Sequence, residues 1–249
     1  FYVPDVLVKA YGTTEVAHHY FVGCISAYTF FRFAQVIFGR FNKGTDERWL
    51  PFVLFMAIPG AEVRFGPDGR PVRATEGRWR ERLLGSLQAF ISCAFFFSII
   101  PHLPDNGSGH LIVAYCKCCI FAGNLALLTN AAAALIGVIF GFEVEDCMRS
   151  PMVLSQGIND FWGRRWNRTV HGFLRKLFFE PVLEHVGNRL LATLAAFLAS
   201  ALFHEALVVW TIFKIEPAKR AHVRGALGMQ LLFFVCQGGL AFAERTLDR

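Results

Sequence analysis

His204, followed at once by Glu205, sits inside Leu190–Phe213, a nearly uninterrupted apolar run. About 20 residues at roughly 1.5 Å rise cross a bilayer, so this run is long enough to carry both side chains to membrane depth. A charged group there costs about 2.5 kcal/mol or more, and such groups are usually kept for function. Two readings are open: a proton acceptor in a dry site, or a packing histidine whose ring bonds a neighbouring helix. An imidazole titrates near neutral pH and can take the proton of a hydroxyl as its oxygen attacks an activated acyl group. That chemistry requires neither a metal nor a nucleophilic serine, and the spacings agree with it. Position 208 is Val208, where a zinc-protease helix would need a second His, and no Gly-x-Ser-x-Gly elbow, phosphate loop or dinucleotide glycine fingerprint is present.

A second constellation lies upstream: Gln156-Gly-Ile-Asn-Asp160-Phe-Trp-Gly-Arg-Arg-Trp-Asn167, just before the Pro-bounded amphipathic stretch His171–Glu180. Helical spacing would set Asp160 against Arg164 and Trp162 against Trp166, each at i,i+4. Tryptophans beside arginines suit a membrane interface, where rings rest at headgroup depth and guanidiniums reach phosphate. The alternative to a chemical role is an interfacial anchor.

The elements that must position these residues are helices in a bilayer. Hydrophobic residues make up 54% of the 249, Phe alone contributes 27, and mean hydropathy is positive, a composition foreign to soluble domains. The clearest spans are Leu83–Pro101, Leu111–Phe142, Leu190–Phe213 and Ala226–Ala243, with weaker candidates at Phe21–Phe38 and at Trp49–Pro59, the latter too short to cross. Leu111–Phe142 is longer than one span needs and reads either as one tilted helix or as a helix broken near Asn124 or Asn130. The expected fold is an all-α, polytopic transmembrane helical bundle. Residues 1–249 read as a single membrane-embedded domain, with residues 150–210 as its motif-bearing region. The start at Phe1-Tyr-Val-Pro without Met reads as a portion of a larger protein, so a missing signal peptide carries no weight.

The net charge of +6 resides in connecting segments. Arg64, Arg70, Arg73, Arg78, Arg80 and Arg82 precede the Leu83 span, and Arg149, Arg164, Arg165, Arg168, Arg175, Lys176 and Arg189 precede the Leu190 run. Membrane loops explain this pattern better than nucleic acid does, and the positive-inside rule makes both segments cytosolic. The intervening His102–His110, without Lys or Arg, is then lumenal. It holds the sequon Asn106-Gly-Ser108, although Asn167-Arg-Thr169 matches the same pattern on the other side. Lys214, Lys219, Arg220 and Arg224 conflict with a full crossing by Leu190–Phe213. The seven cysteines lie mostly in or beside apolar runs, against a disulfide framework, and Cys116-Lys-Cys118-Cys119 reads as helix packing rather than a metal or palmitate site. Ala131–Ala134 suits close helix approach.

Taken together, Phe161-Trp-Gly-Arg-Arg-Trp-Asn167, Glu180-Pro181-Val182 and Ser200-Ala-Leu-Phe-His204-Glu205 resemble the membrane-bound O-acyltransferase family, and within it the wax synthase-like branch. The likeness is firm over Ser150–Trp210 and extends through Phe233-Phe-Val-Cys-Gln-Gly238. It implies transfer of an acyl group from acyl-CoA, a co-substrate rather than a bound cofactor, to a lipophilic alcohol in the endoplasmic reticulum membrane. On that reading His204 is the general base and Asn167 positions substrate or polarises the thioester carbonyl. Arg164 and Arg165 meet coenzyme A phosphates, Trp162 and Trp166 flank the substrate, and Ser200, at i−4, orients the His204 ring. Gln237, with Gln230, is a weaker candidate for the cavity wall. Glu205, about 100° around the helix from His204, is expected to bond a neighbouring helix. A membrane transporter and a non-catalytic scaffold are the rival classes. The motifs carry the shared chemistry and not the identity of the acceptor.

Overall fold

Pro101 has no N–H to continue a helix, and at this residue the chain turns between its first two long apolar helices. The computed structural model describes residues 16–42, 44–58, 60, 62–103, 107–214, 225 and 227–247. In chain order the helices are α1 (Val16–Ile37), α2 (Trp49–Ala57), α3 (Glu76–Ile99), α4 (Gly107–Phe140), α5 (Pro151–Leu154), α6 (Ile158–Asp160), α7 (Arg168–Leu174), α8 (Glu180–Val186), α9 (Arg189–Lys214) and α10 (Met229–Leu247). Two π-helical turns, Phe161–Arg165 and Arg175–Phe179, interrupt the regular periodicity. The extended backbone forms only isolated bridges among the described residues, so the fold is the expected all-α one.

Among the described residues three helices are long and apolar enough to cross a membrane: Glu76–His102, Leu111–Phe140 and Arg189–Trp210. Their outward rows are apolar, as at Leu87, Phe90 and Ile91 of α3, which suits contact with lipid tails. α4 is one continuous helix of 34 residues, which decides against a break at Asn124 or Asn130. Asn124 instead donates back to the Ile120 carbonyl at 3.0 Å, a bond that leaves the helix intact. α10 departs from expectation: it starts at Met229, carries Glu244 and Arg245 near its end, and is not among the three spanning helices. The weaker candidates become α1 and the nine-residue α2. Asn106 of the lumenal sequon and Lys219, Arg220 and Arg224 lie outside the described residues.

The chain divides into two compact units, residues 1–41 with 172–249, and residues 42–171. In the second, α3 and α4 form an antiparallel hairpin held very close by small residues. A Cβ on Gly123 would meet Cys93 Sγ at 2.5 Å, and the Ser86 hydroxyl donates to the Leu127 carbonyl at 3.0 Å. Cys93, Cys116 and Cys119 are buried free thiols packed within the hairpin, whereas Cys118 is exposed. At one end of the hairpin, residues 62–74 turn through Gly69, whose φ of 72° favours glycine, and pair with residues 141–145 by bridges Val63–Val144 and Arg73–Phe142. Leu54, Val63, Ala133, Ile136 and Val144 close a small core there, in which the Ala131–Ala134 run lets the backbones approach.

Both basic segments reach this same end, and carboxylates hold several of their arginines. Glu143 accepts from Arg64 at 3.1 Å and Arg78 at 3.0 Å, while Asp146 pairs with Arg82 and Arg149. Burial raises the pKa of Glu143, but the hydrogen bonds from Arg78 and then Arg64 outweigh it and hold the carboxyl below its usual range. Asp146 is lowered in the same way: burial opposes, and Arg82 prevails. The positive segments are thus partly an internal ion-pair network rather than a freely solvated face.

In the other unit, α9 and α10 pack antiparallel and α1 joins them. A Cβ on Gly238 would meet the Phe197 side chain at 3.0 Å, and one on Gly23 would meet Leu207 and Trp210 at 3.0 Å. Glycine at both points permits van der Waals approach of helices that gain no hydrophobic advantage from association in lipid. Pro181 removes a helical donor next to the π turn Arg175–Phe179, and Glu180 donates its N–H five residues back to Arg175.

Candidate active site

The tryptophan–arginine segment is wound more loosely than an α-helix. Trp166 donates its N–H to the Phe161 carbonyl at 2.8 Å, a five-residue repeat, so the side-chain register moves on by one. The expected pairing of Asp160 with Arg164 is corrected accordingly. Asp160 Oδ2 accepts from Arg165 Nε at 2.5 Å and from the Gln156 N–H at 3.2 Å. The Arg165 hydrogen bond is the main force that holds the Asp160 carboxyl below its ordinary range. Arg165 also donates to the Arg149 carbonyl at 3.3 Å, whereas Arg164 is exposed and makes no ion pair among the described residues.

The aromatic residues of this segment pack on one another and on a membrane span. Trp162 and Trp166 meet edge to face at 6.2 Å, Phe161 stacks on Trp166 at 5.3 Å, and Phe121 of α4 stacks on the same Trp166 ring at 6.1 Å. Trp166 is thereby packed against the side of α4.

Asn167 follows with φ 35°, a left-handed conformation that Asn tolerates better than most residues. It caps α7: Oδ1 accepts the Val170 N–H at 3.3 Å, and the Asn167 carbonyl accepts the His171 N–H at 3.0 Å. The same Oδ1 accepts the Cys147 thiol at 3.6 Å. Burial pushes the Cys147 thiol up, so it stays protonated and can donate. Because only an amide oxygen accepts these protons, the Asn167 Nδ2 is turned the other way, and no partner takes its two N–H groups among the described residues. Thr169 of the second sequon is buried beside Cys147, so this match is an element of the fold.

His204 is fixed from within its own helix. Its Nδ1 lies 2.8 Å from the Ser200 carbonyl oxygen, which can only accept, so Nδ1 carries the proton and Nε2, with no partner among the described residues, is the acceptor nitrogen of the neutral ring. Ser200 thus orients the ring at i−4, through its carbonyl and not its hydroxyl. Phe203 approaches the ring edge to face at 5.0 Å, and Phe234 of α10 lies against it at 4.5 Å. Half-buried Gln237 follows Phe234 by one turn, on the α10 face that buries Phe234, Gly238 and Ala241. Glu205 bonds the neighbouring helix as expected, accepting the Gly228 N–H at 2.7 Å. Asn167 belongs to one compact unit and His204 to the other.

Sequence reasoning missed the polar group around Arg32. Arg32 and Gln35 are fully buried, Arg32 NH1 donates to Gln35 at 3.1 Å and its Nε to the Tyr28 hydroxyl at 2.9 Å, and the guanidinium lies 5.0 Å from the Phe173 ring. The signal was an Arg and a Gln at i,i+3 inside an apolar stretch.

Residues 108–217 match the model of the membrane-bound O-acyltransferase family. The match contains both constellations. Over those residues the chain matches that family. "Probable long-chain-alcohol O-fatty-acyltransferase 9" of Arabidopsis thaliana is 31% identical over 80% of this chain and 55% of its own length. "Acyl-CoA--sterol O-acyltransferase 1" of the same plant is 25% identical over 75% of this chain and 55% of its own. "Diacylglycerol O-acyltransferase 1" of Chlorocebus aethiops is 41% identical over a shorter stretch, 22% of this chain and 11% of its own. The chain thus spans about half the length of the first two relatives. No solved structure matches. The family match and the three long apolar helices among the described residues support an integral membrane protein, and the relatives named for long-chain alcohols bear out the wax synthase-like resemblance.

Proposed function

We propose that the chain is the catalytic part of an acyl-CoA-dependent O-acyltransferase that esterifies a lipophilic alcohol, as in wax ester or related neutral-lipid synthesis. The observation that carries this reading is the His204 ring, held by the Ser200 carbonyl so that Nε2 is left as a base within a spanning helix. Nε2 takes the hydroxyl proton of the alcohol, and the oxygen attacks the thioester carbonyl carbon. Asn167 of the second motif, whose Nδ2 has no partner among the described residues, is the proposed donor to the resulting oxyanion. Collapse breaks the carbon–sulfur bond, the coenzyme A sulfur takes the proton from His204, and an ester and a thiol leave. The exposed Arg164, with the outer nitrogens of Arg165, meets the coenzyme A phosphates. Trp162 and Trp166 flank the acyl chain, and Gln237 lines the acceptor side. The reading treats residues 1–249 as one membrane-embedded domain, with residues 150–210 as its catalytic region, in the endoplasmic reticulum.

Relatives named for long-chain alcohols and for sterols support an acceptor with one hydroxyl on an apolar body. The test is to express the full-length protein in membranes from a host lacking neutral-lipid synthesis and to supply acyl-CoA with a long-chain alcohol, a sterol or diacylglycerol. The proposal expects coenzyme A release that depends on added alcohol and matches ester formed mole for mole. Release without ester, or alcohol movement without release, would contradict it.

A further inference from the structure

Glu205 is a carboxyl within a spanning helix with only one of its two oxygens engaged among the described residues. Oε1 accepts the Gly228 N–H at 2.7 Å, while Oε2 is buried without a hydrogen-bond partner among the described residues. A half-satisfied buried carboxyl is costly, so one strong contact must justify it. Gly228, with φ 77°, opens α10: its carbonyl accepts the Leu232 N–H at 3.0 Å, the first bond of that helix. In a capping box, a side chain from the helix's own first turn satisfies the capping residue's N–H. Here a side chain from α9 supplies that acceptor, and it is the residue next to His204.

Six residues beyond Gly228, Phe234 lies against the His204 ring with centroids 4.5 Å apart and is almost fully buried. Further along, Gly238 meets Phe197, so the two helices are antiparallel and their alignment is set at both ends. A slip of one residue along α10 would turn its face by about 100° and take Phe234 off the imidazole. The intrahelical bond to Ser200 fixes one ring nitrogen, and Phe234 restrains the plane in which the other points.

We infer that Glu205 is a positioning residue: it latches the start of α10 to α9 and so keeps Phe234 against His204, which aims Nε2 at the acceptor hydroxyl. The inference rests on the proposed role of His204 as base, and its test separates the two. In the full-length protein Glu205→Gln keeps an oxygen that can accept the Gly228 N–H, whereas Glu205→Ala does not. Glu205→Ala should lower kcat by about tenfold or more with the KM for acyl-CoA unchanged, since small misplacements of catalytic groups have large effects. Glu205→Gln should restore most of the rate. If the alanine variant fails to accumulate, Glu205→Met, similar in reach but without an acceptor, carries the comparison.

A readout independent of turnover is the rate at which diethyl pyrocarbonate modifies His204 in detergent, followed by peptide mass spectrometry. Glu205→Ala and Phe234→Ala should each raise that rate, and the double variant no further, while Glu205→Gln stays at the wild-type rate. Unchanged modification in Glu205→Ala, or Glu205→Gln as impaired as Glu205→Ala, would overturn the latch. Retained turnover in His204→Ala together with the expected modification rates would instead remove the base and leave the latch standing.

Discussion

The Asn167 side-chain oxygen accepts the Val170 N–H at 3.3 Å, so the residue proposed for catalysis is also the cap of α7. The two duties use different atoms, because the cap occupies Oδ1 and the proposed chemistry needs Nδ2.

This division makes the residue testable by a pair of substitutions. Asn167→Asp keeps an oxygen for the cap and removes the amide donor, and it should retain detergent melting behaviour while turnover falls by about 10²- to 10³-fold. Asn167→Ala should lose turnover and, in addition, about 1 kcal/mol of stability from the lost cap. Activity that follows stability across the pair, instead of the amide, would leave Asn167 a structural residue.

The two adjacent arginines should separate by the same logic. Arg164 is exposed and makes no ion pair among the described residues, so Arg164→Ala should fold normally and raise the KM for acyl-CoA, with no change in melting temperature. Arg165 is tied to Asp160 and the Arg149 carbonyl, so Arg165→Ala should loosen the π turn and lower thermal stability. Steady-state kinetics and melting of both variants decide the matter, and equal effects on KM and stability would contradict the separation.

Much of this organisation was legible in the sequence. The long apolar runs gave α3, α4 and α9 because a 20-residue apolar stretch has few other outcomes, and the histidine at depth stood out against them. The i−4 spacing correctly linked Ser200 to His204. The Asp160 partner was misread because periodicity assumes 3.6 residues per turn, and nothing in Phe161–Arg165 announces a π turn. The Asn167 cap was hidden for another reason: the Cys147 thiol that shares its oxygen lies 20 residues away and comes near only when the chain folds. Arg32 escaped notice because one arginine in an apolar stretch looks the same in sequence whether its head reaches water or is stacked on Phe173.

The ion-pair network at the end of the α3–α4 hairpin predicts acid sensitivity. Glu143 and Asp146 both have folded pKa values below their unfolded ones, so the folded protein binds fewer protons than the unfolded chain in that window. Their stabilisation is fully present above about pH 4, the unfolded carboxylate range, and is lost as pH falls through the lowered folded values. Melting temperature in detergent should therefore be flat from neutral pH to about pH 4 and then decline. Glu143→Gln combined with Asp146→Asn should lower melting at neutral pH and flatten the acid decline. An unchanged decline in that double variant would assign it to other carboxyls.

The central claim is that His204 takes the proton of the acceptor alcohol, and His204→Ala tests it most directly. The substitution makes α9 more apolar, so insertion and yield should survive. Specific activity should fall by about 10²-fold or more, the usual contribution of general base catalysis, while detergent melting stays near that of the parent protein. A packing histidine gives the opposite pattern, with lower melting temperature and near-normal specific activity in the protein that folds, and that result would contradict the account.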